Sequence, residues 1–233
     1  MSRDHAVSMP PRLSIVMPVL DEAQALPAAL ARLQPLRALG VELIVADGGS
    51  SDGSAALAAP LCDALVDAPR GRARQMNAGA ARARGTALLF LHADTSLPEG
   101  AAQAVADALR THGWGRFDVS IDGRPVLLRV VAALMNLRSR LSGIATGDQA
   151  MFMRRTLFDV LGGFPDQPLM EDIELSARLK RHAGHPACLR GPLRTSGRRW
   201  EQRGVLRTVV LMWRLRLAYW LGAPVERLAR AYR

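Results

Sequence analysis

The chain has 233 residues, 49% of them hydrophobic, enough to bury one substantial core, and nothing in its length demands a second domain. Cys62 and Cys188 are far apart and form no CxxC pair, which argues against a disulfide frame or a cysteine-held metal and fits two reduced core residues. The net charge of +10 falls wholly on the tail, since residues 1 to 180 carry 19 basic and 19 acidic residues while 181 to 233 carry 12 Arg against Glu201 and Glu226; such a block suits a membrane surface, a nucleic acid or phosphate groups on a substrate.

The first twelve residues lack an apolar signal-peptide core, and no apolar run reaches the ~18 residues of a spanning helix, so the protein is expected in the cytosol with residues 1 to 11 as a flexible lead. Leu13 to Pro18 is a β-branched run that predicts a strand, and Leu26, Leu30, Leu33 and Leu36 give helical spacing to Glu22–Leu39. Val41 to Ala46 reads as a second strand closed by the polar turn from Asp47 to Gly53, with a helix from Ser54. Leu61 to Val66 can be a third strand, Arg72 to Arg84 a helix and Ala87 to Leu91 a buried central strand. Alternating strands and helices argue for an α/β fold with a mostly parallel central sheet. Ser96-Leu-Pro-Glu99 has the form of a capping box that opens a helix running to Arg110. Beyond it the alternation weakens: a strand at Trp114–Ile121, an apolar helix at Val126–Leu141 bearing Arg129, Arg138 and Arg140, a short strand at Gln149–Met153, a helical turn at Arg155–Leu161 and a charged helix at Glu171–His182.

Polar groups follow three of these strands: Asp21 and Glu22 the first, Asp47 the second, His92 and Asp94 the central one. In an open α/β sheet ligands bind beyond the carboxyl ends of the strands, so these groups converge on one candidate site centred on Asp94. GxGxxG and GxxxxGK[ST] are both absent, so backbone amides cannot cradle a pyrophosphate as they do in those folds. Its charge must be met by a divalent cation at Asp94 and by arginine, with Arg72 and Arg74 nearest in sequence. Singly, these residues have ordinary explanations: Asp47 and Asp52 are common turn residues, and Glu171 and Asp172 suit a helix N-terminus. Their joint order is the signal.

MPVLDEA, VADGGSSDGS, GRARQMNAG, FLHADT and GDQAMFMRR…GGF…MEDIEL, in this order, resemble the family 2 glycosyltransferases of GT-A fold, and most of all the small bacterial branch described as radical-SAM/selenodomain-associated transferases. The resemblance covers roughly residues 12 to 222 and implies an inverting transfer from a nucleotide sugar, UDP-linked by preference, assisted by Mg²⁺ or Mn²⁺. It implies that Pro18, Val19, Leu20 and Glu22 line the nucleoside pocket, that Asp47 bonds the base, and that Arg72 and Asn77 lie by the donor. Asp94 becomes the metal ligand, with His92 where many members carry Asp, which leaves fewer hard oxygen ligands. Asp172 becomes the base that deprotonates the acceptor hydroxyl, Glu171 orients a sugar hydroxyl, and Asp148 contacts acceptor or donor sugar. Ser196-Gly-Arg-Arg-Trp200 resembles the QxxRW element of processive members, giving Arg199 to the diphosphate and Trp200 to a sugar face, but Ser in place of Gln points away from polymer synthesis.

The reading divides the chain into a GT-A domain at 12–200 and basic amphipathic helices at 201–233. Leu206, Val209, Val210, Trp213, Leu217, Trp220 and Leu221 form one helical stripe, with Arg203, Arg207 and Arg214 on another side. Two outcomes stay open for residues 203 to 221: the stripe lies in an anionic membrane surface, or it packs on the chain's own core. Nucleic acid is disfavoured, because no RNA- or DNA-reading motif accompanies the charge. The acceptor is unidentified, with a lipid among the candidates. Two rival functions are a sugar-1-phosphate nucleotidyltransferase, which carries a Gly-rich basic loop after its first strand, and a non-catalytic module for membranes or nucleic acid.

Overall fold

A computed structural model describes residues 12–232, apart from the side chain of Arg199; residues 1 to 11, expected to be a flexible lead, lie outside the described residues. Its sheet is built on β1 (Leu13–Val19), which is parallel to β2 (Glu42–Asp47) on one side and to β4 (Ala87–Phe90) on the other, with β3 (Ala64–Asp67) parallel to β2 at the edge. The helices that return the chain between these strands are α1 (Leu26–Ala38), α2 (Ser54–Ala58) and α3 (Arg72–Arg82). Alternation along β1 sorts its side chains into two cores. Ile15, Met17 and Val19 meet Leu26, Leu30 and Leu33 of α1, whereas Val16 meets Met76 and Ala80 of α3. Each fully buried aliphatic side chain of this set contributes about 1.5–3 kcal/mol of transfer free energy. Gly79 sets the distance between α3 and β1, because a Cβ there would lie 2.4 Å from Val16 Cγ1.

The parallel pattern expected from the sequence holds for β3-β2-β1-β4 and then stops. β7 (Phe152–Arg154) is antiparallel to β4, β6 (Trp114–Asp122) is antiparallel to β7, β8 (Ala187–Ser196) runs parallel to β6 and the two-residue β5 (Thr95–Ser96) is antiparallel to β8, giving the order β3-β2-β1-β4-β7-β6-β8-β5 in a mixed sheet. β8 was not anticipated, since Gly191-Pro192 breaks its pattern; the register jumps from Phe117↔Leu189 to Val119↔Leu193, so a bulge takes up the proline. The expected capping box is also overturned. Thr95 and Ser96 form the short β5 against β8, and α4 (Ala101–Thr111) begins later, after Gly100 with φ +70°, without a side-chain cap. Tertiary pairing with Thr195 and Arg194 thus outweighs the local cap.

α5 (Leu127–Ser142) is fastened to β6 by Asn136, whose amide accepts from Val119 N and donates to Val119 O, both at 2.9 Å. α6 (Arg155–Val160) and α7 (Glu171–Ala183) join α3 on their side of the sheet through Leu157, Phe158, Leu175 and Leu179. The chain ends in α8 (Arg198–Arg203), α9 (Val205–Trp220) and α10 (Val225–Tyr232). α9 rests on the start of α7, where Leu215 and Leu228 pack with Leu169 and Met170. The line it buries is not the stripe read from the sequence. Leu206, Val210, Trp213, Leu217, Trp220 and Leu221 all face outward, Trp213 keeping 72% and Trp220 81% of its surface, and only Val209 of that stripe is half-buried. No helix among the described residues is long and apolar enough to cross a membrane.

Candidate active site

Because β1, β2 and β4 are parallel, their carboxyl ends lie at one edge, and hydrogen bonds from the loops weld them there. Gln75, buried on α3, donates from Nε2 to Val19 O at 2.5 Å and to Ala46 O at 3.1 Å, and Gly48 N donates to Val19 O. Asp47 is buried and its carboxylate closes the following turn, accepting from Gly49 N, Ser50 N and Ser50 Oγ. Asp21 and Asp52 bind β1 to that turn: Asp21 Oδ1 accepts from Ser51 N, and Asp52 Oδ2 accepts from Ala23 N. Pro18 and Leu20 are half-buried, Val19 is buried, and Glu22 N donates to Ser54 Oγ. Gln75 was missed by sequence reasoning, although its place in the quoted GRARQMNAG segment was a usable signal.

A second group surrounds a cavity of about 230 Å³ walled by α5, α9 and the start of α7. Arg72, Asp148, Glu171 and Asp172 all line it, together with Trp200. Arg72 Nη1 lies 3.7 Å from Glu171 Oε1; 44% of the arginine side chain is accessible, and it lines the cavity. Burial pulls the Arg72 guanidinium down, but the charges of Glu171, Asp148 and Asp172 outweigh it and hold the pKa above the usual value. Asp172 is fixed by two backbone donors, Gly147 N to Oδ2 and Ile173 N to Oδ1, each 2.7 Å. Burial, then the neighbouring carboxylate of Asp172, pushes Glu171 up to about 7, with Arg72 pulling the other way. Burial also raises Asp172, against the pull of its two amide donors and Arg72. Two adjacent carboxylates raised together hold one proton between them well above the ordinary carboxylate range.

The two groups meet at Gly147. A Cβ on this residue would lie 2.8 Å from His92 Nε2 and 3.7 Å from Asp172 Oδ2, so the glycine sits against both the end of the central strand and the acidic pair. Asp94 is exposed beyond it, its Oδ1 accepting from Thr95 Oγ1 at 3.2 Å and its carbonyl from Ser196 N at 3.2 Å. It does not line the cavity, and among the described residues no three His, Cys, Asp or Glu side chains gather closely enough to hold a metal ion. Asn77 spends both amide groups on Phe164, accepting from its N at 2.9 Å and donating to its O at 2.8 Å, which ties α3 to the Gly162–Pro165 turn. Arg199, expected at the diphosphate, has its side chain outside the described residues.

Backbone conformation marks the same places. Asp21, Ala150 and Met170 are the non-glycine residues with positive φ among those described, at +53°, +42° and +66°. They adjoin the first strand end, the Gly147–Gln149 turn and the acidic pair. Such conformations cost of order 1–3 kcal/mol each and persist where surrounding structure holds them, commonly at functional sites.

Comparison with known proteins agrees with this architecture. The sequence model of glycosyl transferase family 2 matches residues 14–157. Over 96 residues the chain is 41% identical to a PGL/p-HBAD biosynthesis glycosyltransferase of Mycobacterium bovis and to its counterpart in Mycobacterium tuberculosis; the match spans 38% of this chain and 38% of those relatives' length. Among solved structures, glucosyl-3-phosphoglycerate synthase from M. tuberculosis, in complex with Mn²⁺, UDP and glucosyl-3-phosphoglycerate, superposes with a TM-score of 0.64 at 18% identity, covering 92% of this chain and 81% of that one. S. aureus TarS 1-349 in complex with UDP-GlcNAc gives 0.61 at 16% identity, covering 79% and 58%. The α/β fold is that of GT-A glycosyltransferases, and with more than half of its length matched by the family model the chain belongs to glycosyl transferase family 2.

Proposed function

We propose that this chain moves a single sugar from a UDP-sugar to the hydroxyl of an acceptor, with inversion at the anomeric carbon. The observation that carries the reading is the joint placement of Arg72, Asp148, Glu171 and Asp172 on one cavity, with His92 directly behind Gly147. The two amides at Asp172 orient its carboxylate, and the raised affinity of the acidic pair for protons equips it to take one from a hydroxyl near neutral pH. Glu171 then orients a sugar hydroxyl, Arg72 meets donor charge, Asp148 contacts a sugar and Trp200 offers it an apolar face.

The nucleoside would occupy the groove beside Pro18, Val19, Leu20 and Glu22, with Asp47 at the base and Asn77 holding the loop beside the donor. Asp94 suits a divalent cation only in part: an exposed carboxylate with His92 two residues before it gives too few ligands, so the others would come from the diphosphate and water. When bound there, Mg²⁺ or Mn²⁺ offsets charge on the leaving diphosphate. Arg199 would serve that same diphosphate. The same reading assigns the chain, on its motif resemblance, to the radical-SAM/selenodomain-associated branch, with residues 12 to 200 as the transferase domain and 201 to 233 as its appendage.

The outward apolar rows of α5 and α9 favour work at an anionic membrane on its cytosolic face. Leu127, Val130, Leu134, Leu137 and Leu141 are exposed on α5 as the stripe is on α9, and the tail supplies the basic charge. The test is a thermal-shift panel of nucleotide sugars with and without Mn²⁺, followed by NMR of the anomeric configuration of the product. A UDP-sugar should stabilise the chain and the product should be inverted. No response to any UDP-sugar, or a retained configuration, would overturn the reading.

A further inference from the structure

α5 and α9 approach the cavity with matching rows. Val131, Met135 and Arg138 follow one another at helical spacing on α5, and Val209, Met212 and Arg216 do the same on α9; all six line the cavity. Each row therefore runs from apolar side chains to a guanidinium, and both guanidinium groups feel the charge of Asp172. Arg138 is poorly satisfied where it stands. Its Nη1 reaches Ile144 O only at 3.4 Å, and its Nη2 is buried without a hydrogen-bond partner among the described residues. Burial first, and then the nearby charge of Arg216, lower the Arg138 pKa to about 10, and burial lowers Arg216 as well.

Two partly desolvated cations near each other feel the charge of one carboxylate, and that carboxylate already accepts from Gly147 N and Ile173 N. Around the whole cavity four arginines, Arg72, Arg138, Arg203 and Arg216, face three acids, Asp148, Glu171 and Asp172. Burial and the neighbouring Asp172 favour the neutral form of Glu171, which widens the excess. A buried charged donor without a partner is expensive, and an anion arriving between the two guanidinium groups would remove that penalty.

We infer that the cavity binds an amphiphilic acceptor by an anionic head, a phosphate or carboxylate gripped by Arg138 and Arg216, while its apolar chain lies along the α5 and α9 rows. The word acceptor rests on the transfer reading above; the anion site does not. The donor diphosphate is the other source of such an anion. It is disfavoured because α5 is bolted to β6, which is separated from β1 by β4 and β7, whereas the nucleoside groove lies at the ends of β1 and β2.

Calorimetric titration of the full chain with octyl phosphate, 1-octanol, inorganic phosphate and UDP tests the assignment. Octyl phosphate should bind at least tenfold more tightly than octanol or inorganic phosphate. Arg138→Gln and Arg216→Gln should each lose that advantage and leave UDP affinity within twofold. Equal binding of octyl phosphate and octanol by the wild type would reduce the cavity to a greasy cleft and overturn the proposal. So would variants that weaken UDP as much as octyl phosphate, since the arginines would then serve the donor, and so would variants that change neither. Should the Gln variants fail to fold, Arg138→Lys and Arg216→Lys decide: they keep the charge and lose the forked geometry, so they should still prefer octyl phosphate to octanol with an affinity at least threefold below wild type. Unchanged affinity in both would overturn the clamp. A wild type that prefers octyl phosphate yet ignores UDP and every UDP-sugar would sink the transfer reading and support the anion site.

Discussion

The backbone N–H of Gly147 donates to Asp172 Oδ2 at 2.7 Å, and the same glycine leaves no room for a side chain between that carboxylate and His92. One small residue therefore joins the end of the central strand to the acidic start of α7. This contact brings two residues 80 positions apart in the chain to either side of one glycine.

Asp172→Asn should keep the Gly147 hydrogen bond through its amide oxygen and remove the base. Turnover of a UDP-sugar should fall by about 10²–10⁴-fold while UDP affinity stays within twofold, as steady-state kinetics and calorimetry would show. An equal loss of both would assign Asp172 to donor binding or to the fold.

Gly147→Ala places a Cβ 2.8 Å from His92 Nε2, and the imidazole must give way. The expected outcome is a stability loss of about 1–3 kcal/mol with kcat lowered by tenfold or more, because the displaced ring disturbs both sides of the site. A variant with wild-type kcat would show that His92 has no positional role.

The pKa of Glu171 is raised from 4.5 to about 7, so the folded state keeps a proton that the unfolded chain releases. The linkage makes stability fall as pH rises from about 4.5, and the loss is complete above about 7, of the order of 3 kcal/mol. Glu171→Gln should flatten that slope and melt at a higher temperature than wild type at pH 8. The acid limb of turnover should lie above the ordinary carboxylate range in the wild type, because burial raises Asp172, and should shift in Glu171→Gln, which removes the titrating neighbour coupled to it.

Asn77→Ala removes both side-chain bonds to Phe164 and leaves a half-buried turn unpaired. Denaturant titration should show a loss of about 1–3 kcal/mol, with UDP affinity less affected than stability. The reverse, a donor defect at full stability, would assign the amide to the donor.

The exposed stripe of α9 makes the membrane reading testable by sedimentation with vesicles rich in anionic lipid. Trp213→Ala together with Trp220→Ala should lower the bound fraction at least tenfold, and 0.5 M salt should lower it further. Binding that survives both would place the contact elsewhere.

Much of this arrangement was legible in the residues themselves. Apolar runs marked β1, β2 and β4, and the polar residues after them pointed to one sheet edge because parallel strands end together. What was hidden depended on partners distant in sequence. Ser96 looked like a helix cap until β8 took it into the sheet, and β8 itself was masked by Gly191-Pro192. Of the two outcomes left open for the α9 stripe, packing on the chain's own core is not the one seen, because Leu211, Leu215 and Ala218 take the contact with Leu169, Met170 and Ile173. Arg138 and Arg216 could not be singled out by spacing, as only the crossing of α5 and α9 brings them to the same carboxylate.

The amide of Gln75 has one further implication. Two carbonyl oxygens converge on its nitrogen, so the position accepts a side chain that gives hydrogens and rejects one that only receives them. Glutamate, nearly identical in shape, would have to stay neutral to occupy the same space, and a chain carrying it would come apart at this seam in alkaline solution while surviving in mild acid.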